Sequence, residues 1–310
     1  MELTDPQRRT LEQLIGTGPR PSFPADLAQR LRDRIEEAVR GLELREQLWL
    51  SKERLNDHGR CEGKFHAGIG RESPPFEHSA KSASGVLMHK AIEVEVGSRA
   101  PLDAASVAEV ALERVLGREE RFQEYWGVLS EPDRDDILME VVRRITLFQG
   151  SFPPLKELRR DLTPISELRV RADLMGGELV LSGQIDLLLG RPDQLEPMRA
   201  TRLAIDLKTG NAYPEFAEDM RFYALLLTLR FGVPPYRVAS LFLESGAWQP
   251  EDITEETLHH AADRVIAAAR SAAALLRGRT PDLTGGHYCA WCPRAAACPA
   301  AELSTVLIGG

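Results

Sequence analysis

No run of apolar residues in this 310-residue chain approaches the roughly 18 that a membrane-spanning helix requires, so no helical span is expected. An excess of basic residues is missing too: 39 Lys and Arg stand against 47 Asp and Glu, for a net charge of −8. That balance excludes a protein that coats nucleic acid through bulk charge, but leaves room for a locally basic groove. Cysteine is scarce. The four cysteines are Cys61, alone, and Cys289, Cys292 and Cys298 close together. This is poor spacing for a disulfide framework and good spacing for a metal, which implies a reducing compartment. The opening stretch "MELTDPQRRT" lacks the basic-then-apolar order of a secretion signal, and a cytoplasmic location is expected.

What is present reads as an ordinary globular composition, long enough to bury a sizeable core. Residues 5–18 and 24–48 carry apolar residues at helical spacing, separated by "GTGPRPSFP", and read as surface helices of an N-terminal extension over 1–47. Residues 101–150 are helical again, with an acidic break at "SEPDRDD", and suggest a helical insertion over about 100–160. After Pro164 the texture changes. "ELRVRADLMGGELVLSGQIDLLLG" holds two alternating runs around Gly176-Gly177, the signature of a two-stranded hairpin. A strand at 203–208, a helix at about 215–231 stopped by "FGVPP", a strand at 237–243 and an Ala-rich helix at about 254–277 follow, leading into the cysteine-rich tail.

The strand "LAIDLK" spends two charges where apolar residues would serve. Successive strand side chains face opposite sides, so Leu203, Ile205 and Leu207 share one face while Ala204, Asp206 and Lys208 share the other. In the hairpin, Leu179, Leu181, Ile185, Leu187 and Leu189 share a face and Asp186 falls opposite them. Neighbouring strands would then aim Asp186, Asp206 and Lys208 at one spot. Two converging carboxylates repel unless a cation joins them, and hard oxygen ligands suit Mg²⁺ or Mn²⁺, which can activate water against a phosphodiester. A plain ion pair is the structural alternative.

Asp186 in "GQIDLLLG", Asp206 and Lys208 in "AIDLKTG" and a following helix bearing Tyr223 together resemble the PD-(D/E)XK nuclease superfamily. The likeness is to its RecB-type branch, which includes the AddB nuclease domain and the CRISPR-associated exonucleases with an iron–sulphur cluster. It implies an α/β fold over residues 48–300: a restriction-endonuclease-like core with a central mixed sheet flanked by helices, helical insertions and an iron–sulphur-clamped C-terminus, followed by a tail at 301–310. By resemblance, His89 in "SGVLMHKAIE", Asp186, Asp206 and the Leu207 carbonyl would hold the metal, with Asp186, Asp206 and Lys208 catalytic. The branch carries Gln-x-x-x-Tyr on the helix after the lysine; here Asp219 stands at the Gln position and Tyr223 matches, so both are weaker substrate-binding candidates.

"HYCAWCPRAAACPA" gives Cys-x₂-Cys-x₅-Cys followed by Pro299. With Cys61 as a fourth ligand the spacing fits either a Cys₄ zinc site or an iron–sulphur cluster. The resemblance implies a 4Fe-4S cluster, although Glu62 follows Cys61 where the family often has Pro. Joining Cys61 to the tail would close a very long loop. Lesser features are Lys64, Arg71 and Lys81, read as DNA-groove or solvated charges; Trp291, a cluster shield or core filler; and the terminal "LIGG", an inert tail.

The function this implies is metal-dependent hydrolysis of DNA, by an exonuclease acting on single strands or free ends in repair, recombination or phage defence, with a helicase or other repair or defence subunit as a partner. The alternatives are a catalytically weak DNA-binding or scaffold subunit on the same fold, and a zinc-stabilised adaptor.

Overall fold

A computed structural model describes residues 3–16, 18–44, 47–72, 76–98, 100–155, 159–208 and 215–301. In chain order the elements are α1 (Asp5–Ile15), α2 (Leu27–Val39), β1 (Leu48–Leu50), α3 (Lys52–Arg60), α4 (Glu62–Ile69), α5 (Ala80–Gly97), α6 (Ala104–Leu116) and α7 (Glu120–Val128). They continue with α8 (Glu131–Ser151), α9 (Arg159–Leu162), β2 (Ile165–Leu174), β3 (Leu179–Leu189), β4 (Leu203–Lys208), α10 (Glu215–Phe231), β5 (Arg237–Phe242), β6 (Ala247–Asp252) and α11 (Glu255–Leu276). Short 3₁₀ turns at His287–Trp291 and Ala295–Ala297 close the described chain. No described helix is long and apolar enough to cross a membrane.

The N-terminal helices are part of the main core, not a surface addition. In α2, Leu27, Leu31, Ile35 and Val39 recur every fourth residue and all are buried, packing the helix against α10 and α11. In α1, Thr4 caps the helix in a reciprocal pair with Gln7, and the Gln7 amide donates to the Gln149 carbonyl on α8 at 3.1 Å. The acidic stretch "SEPDRDD" is a helix start instead of a break: Ser130 accepts the Asp133 amide, Pro132 needs no partner for its nitrogen, and Glu131 and Asp133 sit where the helix dipole favours anions.

The six strands among the described residues form one mixed sheet, in the order β1-β3-β4-β5-β6 with β2 on the other edge of β3. β2 and β3 form the expected hairpin, antiparallel from Leu174↔Leu179 to Ile165↔Leu188. The opposite edge of β3 is shared: Leu179 to Leu181 pair in parallel with β1, while Leu187 to Leu189 pair antiparallel with β4. Between those two ladders the sheet forks. β4 continues in parallel with β5, and β5 pairs with β6. α10 lies against the sheet at Gly183, where even a Cβ would stand 2.7 Å from the Tyr223 ring; this glycine is what lets the helix come so close. β1 and β6 carry no signal that the sequence reading resolved, and residue 48, assigned there to a helix end, belongs to β1.

Candidate active site

Three carboxylates stand in a row across three adjacent strands. Counting on from Leu168↔Ile185 puts Glu167 of β2 across from Asp186 of β3, and counting on from Leu187↔Ile205 puts Asp206 of β4 on its other side. Asp186 lies at the fork, where the β3–β4 ladder ends. The Leu207 amide left over there donates to Asp186 Oδ2 at 2.6 Å, so a side chain replaces the missing backbone partner. The other oxygen faces α5: His89 Nδ1 is 3.2 Å from Asp186 Oδ1 and 3.3 Å from Glu167 Oε1.

His89, Glu167 and Asp186 offer ligand atoms that all lie within 4.8 Å of one another. Glu167 takes a positive φ of 51° within its strand, uncommon for a residue with a Cβ, and its buried Oε1 has no hydrogen bond among the described residues. An imidazole and two carboxylates, one with an oxygen whose polar contact is the 3.3 Å approach of that imidazole, fit a divalent cation. Burial pushes the imidazole pKa down, but Asp186 and Glu167 outweigh it and His89 is raised to about 10. Burial, together with the neighbouring Asp206 charge, pushes the Asp186 carboxyl up.

Asp206 is only 2 % exposed and is held as an anion by two lysines, which overcome the cost of its burial. Lys52 Nζ meets Oδ1 at 3.2 Å and Lys208 Nζ meets Oδ2 at 2.7 Å. Lys208 also lies 3.3 Å from Asp219 Oδ2, and Asn56 donates to Asp219 Oδ1 at 2.7 Å. Asp219 therefore faces Lys208. Burial, with a lesser contribution from the Asp206 charge, pushes its pKa up against the pull of Lys208. Tyr223 is buried, and its hydroxyl donates to the Gln184 carbonyl at 2.6 Å. It tethers α10 to the sheet while its ring lines the cleft.

The structure thus brings together His89, Asp186, Asp206, Leu207, Lys208, Asp219 and Tyr223. Sequence reasoning missed Glu167, Lys52 and Asn56. Glu167 was accessible through the hairpin register, since pairing out from Gly176-Gly177 reaches Asp186 opposite it. Glu167 and Asp186 open onto a cleft of about 1190 Å³ whose lining sets Lys52, Lys90, Arg118, Arg169 and Arg171 beside Glu53, Glu93 and Glu119, with the exposed aromatics Trp49 and Phe76.

The four cysteines line a second cavity, of about 540 Å³. Cys61 sits between α3 and α4, and the Gly286 amide lies 3.4 Å from Cys289 Sγ. Glu62 anchors the tail: its carboxylate accepts from Arg279 at 2.6 and 2.8 Å and from the Asp282 amide at 3.0 Å. Lys64 lines this cavity and pairs with Asp57 at 3.0 Å, Arg71 lines a separate cavity and Lys81 another, so none of the three faces the acidic row. Trp291 is 72 % exposed, so it does not fill the local core. "LIGG" lies outside the described residues.

No curated protein matches the chain. Among solved structures, a Eubacterium rectale protein described as a candidate exonuclease aligns at a TM-score of 0.44 and 11 % identity, over 80 % of this chain and 88 % of its own. SSO0001 aligns at a TM-score of 0.31 and 13 % identity, over 70 % of this chain and 96 % of its own. Neither likeness is close enough to carry function across. The profile of the PD-(D/E)XK nuclease superfamily matches residues 49–299, spanning the acidic row, Lys208 and all four cysteines, and the chain belongs to that superfamily.

Proposed function

We propose that this chain is a Mg²⁺- or Mn²⁺-dependent deoxyribonuclease that hydrolyses phosphodiester bonds of single-stranded DNA or of DNA ends. The observation that carries this reading is the row Glu167, Asp186, Asp206, with Lys208 on Asp206 and with His89, Glu167 and Asp186 lining a cleft that also presents Lys52, Arg118, Arg169 and Arg171. His89, Glu167 and Asp186 would hold the cation, with Asp206 and the Leu207 carbonyl as further oxygen donors on the β4 side. When bound, such a cation lowers the pKa of water and offsets charge on the phosphoryl oxygens.

The chain's own groups supply the rest. Lys208, pinned between Asp206 and Asp219, presents an ammonium that orients the attacking water and stabilises the developing negative charge. Asn56 fixes Asp219, and through it the lysine. Tyr223 holds α10 at its distance from the sheet, which sets where Asp219 stands. The preference for single strands draws on Trp49 and Phe76, exposed at the cleft, because unpaired bases can stack on aromatic rings.

The cavity lined by Cys61, Cys289, Cys292 and Cys298 would hold a 4Fe-4S cluster, whose role is to clamp the chain's distant segments together. Glu62 shares that task without a metal. The test is cleavage of end-labelled single- and double-stranded DNA by anaerobically purified protein with Mg²⁺, Mn²⁺ or EDTA, beside Lys208→Ala. Metal-dependent cutting lost in the variant supports the reading; equal activity in both overturns the assignment of Lys208. Iron and sulphide content of the same preparation separates the cluster from a colourless zinc site.

A further inference from the structure

Both oxygens of Asp206 are taken by ammonium groups, and the two lysines are not equivalent. Lys208 has a second carboxylate partner in Asp219 at 3.3 Å and lies 4.0 Å from the Phe216 ring centroid. Lys52 rests 5.0 Å from the Tyr223 ring centroid, lines the cleft, and keeps 21 % of its side chain exposed against 11 % for Lys208. Its position is a product of topology: β1 pairs in parallel with β3, and Lys52 is the residue that opens α3 just beyond it, so its ammonium enters the fork from the β1 side.

Each oxygen keeps a free lone pair, but two ammonium groups at 3.2 and 2.7 Å repel an incoming divalent cation, so Asp206 becomes a good ligand only when one of them leaves. Lys52 is the one placed to leave, since the cleft is open to it and Lys208 is enclosed. We propose that Lys52 is a resident competitor for the metal: its ammonium occupies Asp206 Oδ1 until a divalent cation displaces it. Once released it stays on the cleft wall and contacts the phosphate backbone of the substrate. The second half rests on the nuclease reading; the first does not. Because the polyanion engages the displaced ammonium, nucleic acid and metal favour each other's binding, and the coupling is reciprocal.

The experiment is a Mn²⁺ titration, read by the signal of free Mn²⁺ in electron paramagnetic resonance, on wild type, Lys52→Met and Lys52→Arg whose melting temperatures have first been compared. Lys52→Met is expected to bind Mn²⁺ about tenfold more tightly, because a charge competing at close range is gone. Lys52→Arg retains a cation and is expected to stay near wild type. A second arm measures KM for a single-stranded oligonucleotide at saturating Mn²⁺ across a salt series. Losing one phosphate contact should raise KM and flatten the log–log salt slope by about 0.7. Mn²⁺ affinity in Lys52→Met that is unchanged, weaker or undetectable overturns the competition. An unchanged salt slope overturns the phosphate contact. Wild type that binds Mn²⁺ but cuts no phosphodiester substrate sinks the nuclease reading and leaves the Mn²⁺ comparison decisive.

Discussion

Gly183→Ala tests whether the approach of α10 to β3 sets the active site. The added Cβ would stand 2.7 Å from Tyr223 Cε1 and 3.3 Å from both Tyr223 Cδ1 and Leu226 Cδ2. Carbon atoms in contact prefer about 3.5–4.0 Å, so the ring must retreat by about 1 Å. It has little room to do so, being 1 % exposed and tethered by its hydroxyl to Gln184. Overpacking of this kind costs about 1–3 kcal/mol, which in a protein of this size lowers the melting temperature by several degrees. Asp219 lies one turn before Tyr223 on α10 and holds Lys208, so the displacement reaches the chemistry. A misplacement near 1 Å can cost about 100-fold in rate. Calorimetric melting together with cleavage well below the melting point reads both effects. Gly183→Ala with Tyr223→Leu should recover about 1–2 kcal/mol relative to the sum of the single changes, because the clash partner is gone. Gly183→Ala that melts within about 0.5 kcal/mol of wild type and cuts at the wild-type rate would refute the argument.

Two further changes probe the metal cluster and the tail anchor. Glu167→Gln removes one carboxylate from the His89, Glu167, Asp186 cluster and should weaken Mn²⁺ binding by about 10–100-fold or more, measured by calorimetric titration; unchanged affinity would remove Glu167 from the site. Glu62→Gln breaks the contacts to Arg279 and should cost about 1–2 kcal/mol at pH 7 by urea unfolding. The Arg279 hydrogen bonds lead in holding the Glu62 pKa down at about 2 against an ordinary 4.5, with burial opposing them. A carboxyl depressed on folding stabilises the native state above its unfolded value and loses that contribution as pH falls toward the folded one. The difference between wild type and Glu62→Gln should therefore be flat above about pH 4.5 and shrink below it; a difference independent of pH from 7 to 3 contradicts the assignment.

How much of this was legible depends on how far each contact reaches. The strand at 203–208 and the helix at 215–231 were readable over their described residues, because alternation marks the one and the breakers after Phe231 end the other. Asp186 and Asp206 followed from side-chain parity on two such strands. Glu167 required one more step, carrying the hairpin register back across the turn, and the positive φ that disturbs the strand there has no sequence signal. β1 was invisible because three residues cannot display a period. Lys52 was invisible for a deeper reason: its meeting with Asp206 depends on β1 docking beside a strand far along the chain.

The fork in the sheet connects these cases. One edge of β3 serves two partners, and where they part, the Leu207 amide has no strand opposite and binds the Asp186 carboxylate instead. The same parting leaves space for Lys52 to enter from β1 and reach Asp206. A row of three carboxylates, two of them buried and Glu167 half-buried, would otherwise be costly, since each would need to protonate or find a cation. Here the topology that gathers the acids also delivers their partners: an amide and an imidazole on Asp186, and two ammonium groups on Asp206. The chain thus matches the charge of its own acids, and a cation entering the row would have to compete with one of those partners.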